Sequence, residues 1–555
     1  MVKKVRIDLL IGKIAIVYLL FFSFKVFSQV PPAYVVVFND KPYYQQYKPS
    51  DFLSLRAIEN RKRYNISITK EDYPVDTSYI ATVLKQGVDI QLLTRSKWMN
   101  YIVISCDSSC LDTIRQLSFV KSASALHTVD YQSLISGKLF QEIIPENIGR
   151  IPSLTTFSVD TAYYGVMYPQ IKLHNGHLLH YIGYKGDGVL ITLLDAGYGG
   201  LDFPIFENLH QENRLLGHYD FVKENHDMFS NSTHGMSVLS LMAGKIPYTA
   251  VGTAPEAQYV IMKTEANSYE EILEEYFLVA GLECADSIGT DVVNISLGYT
   301  EFGSKNANHT FSDLDGFHSV ASIAVAMAIE KGMIVSNSAG NEGNKSWKYI
   351  SIPADAYNVL SVAAINTEGQ LADFSSRGST LFNRIKPNIA SVGLDTYVQK
   401  ANGNIDKGNG TSFSSPVNAG LVACLRQAFP QKTSHEIIKA IFQSCNHVQN
   451  SDTLTGYGVP DYWLAFKLLD ASSVNKKDIV MLYPNPVQSM LKIKTFYPYQ
   501  ILNLEITDVW GRTIYSLSYE GNDFIEVDFS FLTSGIYVLR IHTSEGIAVK
   551  KIIKI

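Results

Sequence analysis

The stretch "GVLITLLDAGYGG" occupies Gly188–Gly200. Its core, Val189 to Leu194, is aliphatic or β-branched without alternation. A strand buried on both faces reads this way. The run stops at Asp195, and small residues follow at once. A carboxylate at the end of a buried strand is poorly solvated and needs a donor partner. Four more runs share the texture: "QYVIMK" from Gln258, "DVVNISL" from Asp291, "MIVSNSA" from Met333 and "VLSVAA" from Val359. Stretches with helical spacing lie between them, at 268–289 and 317–332. Strand and helix alternating over residues 165–470 predict an α/β domain, a parallel sheet flanked by helices. Functional groups in such sheets gather at the carboxyl ends of the strands.

Two other stretches bear on chemistry. "STHGMSVLSLMAG", Ser232–Gly244, puts His234 at a helix start among small residues. "GNGTSFSSP", Gly408–Pro416, crowds glycines ahead of Ser412 and then opens a helix. Taken singly, Asp195, His234 and Ser412 also read as a strand-end carboxylate, a helix N-terminal residue and an N-cap. Taken together they supply a carboxylate, an imidazole and a hydroxyl in the chain order Asp, His, Ser, one of the orders in which catalytic triads occur.

With those motifs in hand, the central region resembles the subtilisin-like serine proteases. The resemblance rests on "DAG" at Asp195, "HG" at His234, "NISLG" at Asn294–Gly298, "SAGNEG" at Ser338–Gly343, "FSSRG" at Phe374–Gly378 and "GTSFSSP" from Gly410. It implies a nucleophile at Ser412, a general base at His234 and an orienting carboxylate at Asp195. It also implies an oxyanion-hole amide at Asn341 and a peptide-binding edge at Ser296, Leu297 and Gly298, with polypeptides as substrates. The chain departs from the family pattern at Ala196, Met236, Phe413, Ser414 and Tyr299. None of these removes a catalytic group, but Tyr299 is expected to reshape the specificity pocket and Phe413 to alter packing beneath the nucleophile. No metal ligand set is expected in the chemistry. "NHTFSDLDG", with Asp313 and Asp315, is an oxygen-rich loop of the kind that can bind structural Ca²⁺.

The chain has 555 residues, room for three or four units at roughly 100–200 residues each. Net charge is −6, and no long basic block suggests nucleic acid. Residues 1–28 read as a secretory signal peptide: Lys3, Lys4 and Arg6, then an apolar run from Ile14 to Phe24 too short to span a bilayer, then Ser28. No later segment is long enough to span. Residues 29–126 read as a small α/β domain, and the resemblance makes it a propeptide. Residues 127–164 read as a connector and 471–478 as a linker. Residues 479–555 read as short alternating strands of a small β-sandwich. "LYPNPVQSMLKI" at Leu482, "DVWGR" at Asp508 and "SGIYVLRI" at Ser534 resemble the C-terminal sorting domain of the type IX secretion system. That implies the type IX machinery as a partner and a secreted or cell-surface location. Five cysteines, Cys106, Cys110, Cys284, Cys424 and Cys445, leave one odd thiol; Cys106 and Cys110 lie close enough to bridge, or all stay reduced. The function expected is a secreted serine endopeptidase. The rival is a non-catalytic binding or adhesion protein on the same scaffold.

Overall fold

The computed structural model describes residues 32–131, 134–135, 140–146, 159–222, 228–229, 232–266, 270–378, 383–473, 480–495, 501–522, 524–543 and 546–555. The predicted signal peptide lies outside them, as do much of the predicted connector and most of the linker. Among the described residues no helix is long and apolar enough to cross a membrane. The five cysteines are free thiols.

The chain divides into two compact units. The first comprises, of the described residues, 32–42, 75–95 and 100–129. Its sheet has four strands in the order Gln91–Ser96, Tyr101–Ser105, Ala33–Phe38, Val120–Ala125. Ala33–Phe38 runs antiparallel to both neighbours. Val36, Phe38, Ile102 and Ile104 pack with Ile80, Val83, Leu111 and Ile114 from two short helices. The first of those helices starts at Thr77, where the Asp76 carboxylate accepts the Ser78 and Tyr79 N–H groups. Within residues 98–106, "WMNYIVISC", the β-like run is longer than the strand. The strand instead begins at Tyr101, because Asn100 takes a positive φ of 54° and turns the chain.

The second unit comprises residues 43–74, 96–99 and 130–555. At its centre is a sheet of seven parallel strands: β1 (Leu190–Asp195), β2 (Leu215–Asp220), β3 (Gln258–Lys263), β4 (Val292–Ile295), β5 (Ile334–Ser338), β6 (Leu360–Ile365) and β7 (Ile389–Val392). Their order is β7-β6-β5-β4-β1-β3-β2, and every pairing is parallel. The five apolar runs of the sequence form the inner strands. The two edge strands escaped the pattern: β2 is half exposed and polar, and β7 is only four residues long.

Five helices matter below: α1 (Leu55–Arg63), α2 (His234–Ala243), α3 (Leu273–Ile288), α4 (Val320–Glu330) and α5 (Thr411–Ala428). Helix α1 is capped by the Ser54 hydroxyl and carries Arg61, Lys62 and Arg63 in its last turn, where the helix dipole favours positive charge. It packs near the end of α3. There Gly289 adopts a left-handed φ of 83°, and a Cβ would come within 2.6 Å of the Ala57 nitrogen.

Buried charge fixes this contact. Arg61 reaches Asp286 at 2.6 Å and Asp72 at 3.1 Å, and Lys331 reaches Asp72 at 2.6 Å. Arg56 pairs with Asp291. Glu283 on α3 accepts the Ser96 hydroxyl at 2.5 Å and the N–H groups of Lys97 and Trp98 at 2.8 and 3.0 Å. Burial alone would raise the Asp72 carboxyl, but Lys331 and Arg61 outweigh it and hold it below its ordinary value.

The last region forms two antiparallel sheets, as the sequence suggested. One holds Val480–Tyr483, Met490–Thr495 and Phe524–Asp528. The other holds Thr513–Asn522, Ile501–Thr507, Gly535–Thr543 and Gly546–Lys554. Leu491, Ile493, Leu504, Ile506, Phe529, Leu539 and Ile541 fill the space between them.

Removing one member of a buried ion network leaves its partners uncompensated, at a cost of about 3–5 kcal/mol. Asp72→Ala is therefore expected to lower the unfolding free energy of the full chain by that amount, read by urea titration. Because the folded carboxyl is depressed, its contribution is present at neutral pH and is lost as pH falls from about 3.9 through the folded value.

Candidate active site

Strands β1 and β4 and helices α2 and α5 converge at the carboxyl edge of the sheet. Asp195 ends β1 and is fully buried. Its Oδ1 accepts the Ala196 N–H at 2.7 Å and the His234 Nδ1–H at 2.7 Å. Ala196 offers an N–H but no hydroxyl, and Asp195 Oδ2 has no hydrogen-bond partner among the described residues.

His234 is the first residue of α2. The loop after Asp195 sets it in place. Gly235 N–H bonds the Gly197 carbonyl at 2.9 Å, and Gly199 N–H bonds the Ser232 carbonyl at 2.7 Å. A Cβ at Gly235 would meet the Tyr198 ring at 2.6 Å, and Tyr198 is itself anchored through its hydroxyl to the Leu193 carbonyl at 2.9 Å. About 36% of the His234 side chain is exposed, so the ring faces solvent on one side. Burial would lower the imidazole, but the charge and hydrogen bond of Asp195 outweigh it and hold it above its ordinary value.

Helix α5 begins at Thr411, one residue before the serine. A Cβ on Gly410 would lie 2.8 Å from the Ser412 hydroxyl, which accounts for the glycine. The Phe413 ring stacks near His234, with centroids 6.1 Å apart and planes at 25°. Through Phe413, the residue after Ser412, the start of α5 comes beside the imidazole. Among the described residues no hydrogen bond joins Ser412 Oγ to the imidazole. Catalytic hydrogen bonds of this kind commonly tighten only in the complex with substrate.

Pro416 lies inside α5. It has no N–H, so the Ser412 carbonyl loses its helical i+4 donor. The Ser296 hydroxyl supplies the replacement at 2.9 Å. Asn294 extends the brace: its Nδ2 donates to Ser296 Oγ at 2.9 Å, and its Oδ1 accepts the Ser415 hydroxyl at 2.8 Å. The start of α5 is therefore bolted to the end of β4. Leu297 is buried and Gly298 is exposed. Tyr299 turns inward and exchanges two backbone hydrogen bonds with Ile352, at 2.7 and 3.1 Å.

Asn341 is exposed. Its Oδ1 accepts both the Thr411 N–H at 2.9 Å and the Thr411 hydroxyl at 3.1 Å. This fixes which end of the amide is oxygen and leaves the NH₂ as its donor. Thr411 Oγ1 also accepts the Gly340 N–H at 3.1 Å. Thr411 is a positioning residue that the sequence reading overlooked; a hydroxyl next to a suspected nucleophile was the available signal.

Asp313 and Asp315 serve donors of their own loop. Asp313 accepts the Thr310 N–H at 2.6 Å and faces His318 at 3.5 Å. Asp315 accepts the N–H groups of Phe317 and His318 at 2.7 and 2.8 Å. Three other carboxylates escaped the sequence reading: Glu265, Glu270 and Glu274 have oxygens within 4.8 Å of one another.

The Subtilase family matches residues 186–458, the Peptidase S8 propeptide domain of Bacteroidota matches 33–138, and a secretion system C-terminal sorting domain matches 481–555. The chain thus carries a subtilase domain between a Bacteroidota-type propeptide and a C-terminal sorting domain. The sorting domain marks it for export to the cell surface or the extracellular space. The Minor extracellular protease Epr of Bacillus subtilis is 27% identical over 50% of this chain and 39% of its own length. Subtilisin E of Bacillus subtilis is 26% identical over 49% of this chain, and the match spans 64% of that protein. The solved structure of the prenylagaramide maturation protease PagA shares 20% identity over 53% of this chain and 98% of its own, with a TM-score of 0.42.

The Pro416–Ser296 compensation is testable by a double-mutant cycle. Ser296→Ala strands the buried Ser412 carbonyl and should cost about 1–3 kcal/mol in urea unfolding. In a Pro416→Ala background the new N–H can serve that carbonyl, and the same change should cost clearly less.

Proposed function

We propose that the protein is an exported serine endopeptidase in which Ser412 is the nucleophile, His234 the general base and Asp195 the group that orients it. The 2.7 Å bond from His234 Nδ1 to a buried carboxylate, beside the helix start that bears Ser412, carries this reading. With Nδ1 donating to Asp195, Nε2 is the basic nitrogen. It takes the Ser412 proton as Oγ bonds to the substrate carbonyl carbon. The carbonyl oxygen gains charge, and the Asn341 NH₂ with the Ser412 backbone N–H stabilise it. The C–N bond then breaks, and the imidazolium returns its proton to the leaving amine. Water repeats the sequence to release the acid and regenerate Ser412. The chemistry uses side chains and backbone alone, with no cofactor.

Polypeptides are the substrate class. Ser296, Leu297 and Gly298 would receive the peptide as an added strand, through main-chain hydrogen bonds that tolerate many sequences. The region matched as a propeptide would cover the site until it is cut away. Residues 1–28 would direct passage across the inner membrane, and the sorting domain would engage the type IX machinery at the outer one.

Fluorophosphonate labelling of the secreted protein, with casein cleavage in parallel, tests the reading. Both signals should be present in the wild type and absent in Ser412→Ala. A folded, propeptide-free wild type that neither labels nor cleaves would overturn it in favour of a binding scaffold. The pH profile gives a second check. A protonated imidazole cannot act as base, so kcat/KM should fall as pH drops through the raised His234 value, above about 6.5. Asp195→Asn removes the charge that raises it. That variant should lose about 10⁴-fold in kcat and show its acid limb at lower pH.

A further inference from the structure

Residues 140–146 begin just past the stretch matched as a propeptide, 33–138. They belong to the second compact unit and pack within it. Their partners sit just ahead of two strands. Tyr357 and Asn358 precede β6, and Arg384 and Lys386 precede β7. The segment therefore lies at the amino ends of these strands. Asp195 and the start of α5 stand at the carboxyl edge, the other end of the sheet.

Three kinds of contact hold the segment. Asn358 grips its main chain: Nδ2 donates to the Gln141 carbonyl at 2.8 Å, and Oδ1 accepts the Ile143 N–H at 2.8 Å. One side chain thus satisfies an acceptor and a donor, as a neighbouring strand would. Phe140 is buried, its ring centroid 5.9 Å from that of Phe317 and 6.2 Å from that of Tyr357. Between these anchors Glu142 turns inward. Its oxygens are buried, 3.3 Å from Arg384 Nε and 3.8 Å from Lys386 Nζ. Arg384 lies over the Tyr357 ring at 4.0 Å, which joins the aromatic contact to the ionic one.

The charge balance decides what the segment is for. The Arg384 and Lys386 side chains are only 9% and 5% exposed. The carbonyls of Asp315 and Ala356 accept from them, which satisfies donors without balancing charge. The buried Asp355 carboxylate is taken up by the Ser322 hydroxyl at 2.5 Å and the Gly316 N–H at 2.8 Å. Among the described residues no carboxylate but Glu142 forms a direct ion pair with either cation. A buried cation stripped of its counter-ion is strongly unfavourable. A segment that must leave before substrate can bind would stand at the carboxyl edge. This one stands at the opposite end and balances charge that the catalytic domain buries.

We infer that residues 140–146 are a strap of the mature enzyme: the bond whose cleavage frees the propeptide lies on the amino side of Phe140, and Glu142 stays behind as the counter-ion of Arg384 and Lys386. That step adds water across one peptide bond, leaving a new carboxylate on the propeptide and a new amine on the mature chain. The inference rests on the removal of the propeptide and is independent of which residue is the nucleophile.

Amino-terminal sequencing and intact mass of the secreted, processed wild type read the bond directly. The mature chain should begin at or before Phe140. A first residue beyond Phe140 would overturn the inference. A secreted chain that still begins near residue 29 would instead overturn the propeptide removal on which it rests. Glu142→Gln supplies a second readout. In the processed variant the thermal midpoint should fall by a few degrees, while fluorophosphonate labelling of Ser412 well below that midpoint holds. An unchanged midpoint would mean that the segment had left with the propeptide, and would overturn the inference as well. Should the variant fail to fold, the wild-type amino terminus still decides.

Discussion

The bond between Asp195 and His234 ties the end of a buried strand to the first residue of a helix. Everything at the site depends on that meeting. A carboxylate with no exposed surface requires a donor, and the imidazole is the donor that the fold brings to it. The loop that follows Asp195 is built from glycines and Tyr198 so that the helix can start close enough. The sheet order supplies the rest. With β1 central and β4 beside it, the groups that follow these strands emerge on one edge, and α5 docks there by its N-terminus.

A second constraint is the proline in α5. Pro416 removes one helical hydrogen bond, and the lost donor is replaced from β4 through Ser296. A local defect in the helix thus becomes a tertiary tie. Thr411 acts similarly toward the other flank, since it binds Asn341 through both its backbone and its side chain. The residue before the serine and the residue that braces its carbonyl therefore hold the serine between two loops from different strands.

Much of this was legible in the sequence. Asp195, His234 and Ser412 stood out because each broke a simple pattern: a polar end to an apolar run, an imidazole before small residues, a hydroxyl after glycines. The inner strands were legible because burial on both faces removes alternation. Other features were not. Nothing local reveals that Ser296 serves Ser412, because the need arises from an N–H that Pro416 does not have. The stretch 268–289 shows helical spacing but not where its glutamates are buried. Yet Glu275 is buried and bonded to His309 and the Ser319 hydroxyl, and Glu283 is buried under three donors from residues 96–98. The donors that hold these carboxylates come from distant segments, so spacing along the chain carries no trace of them.

The contact between α1 and α3 has a further consequence. While the chain is continuous, residues 43–74 meet α3 as part of one molecule, at an effective concentration of the order of millimolar or above. Were the chain cut between these segments and β1, the same ion pairs would join two molecules. Their hold would then depend on dilution as well as on contact strength. A contact that is permanent in the uncut chain would become a timer, set by how fast the freed segment diffuses away after export into an open volume.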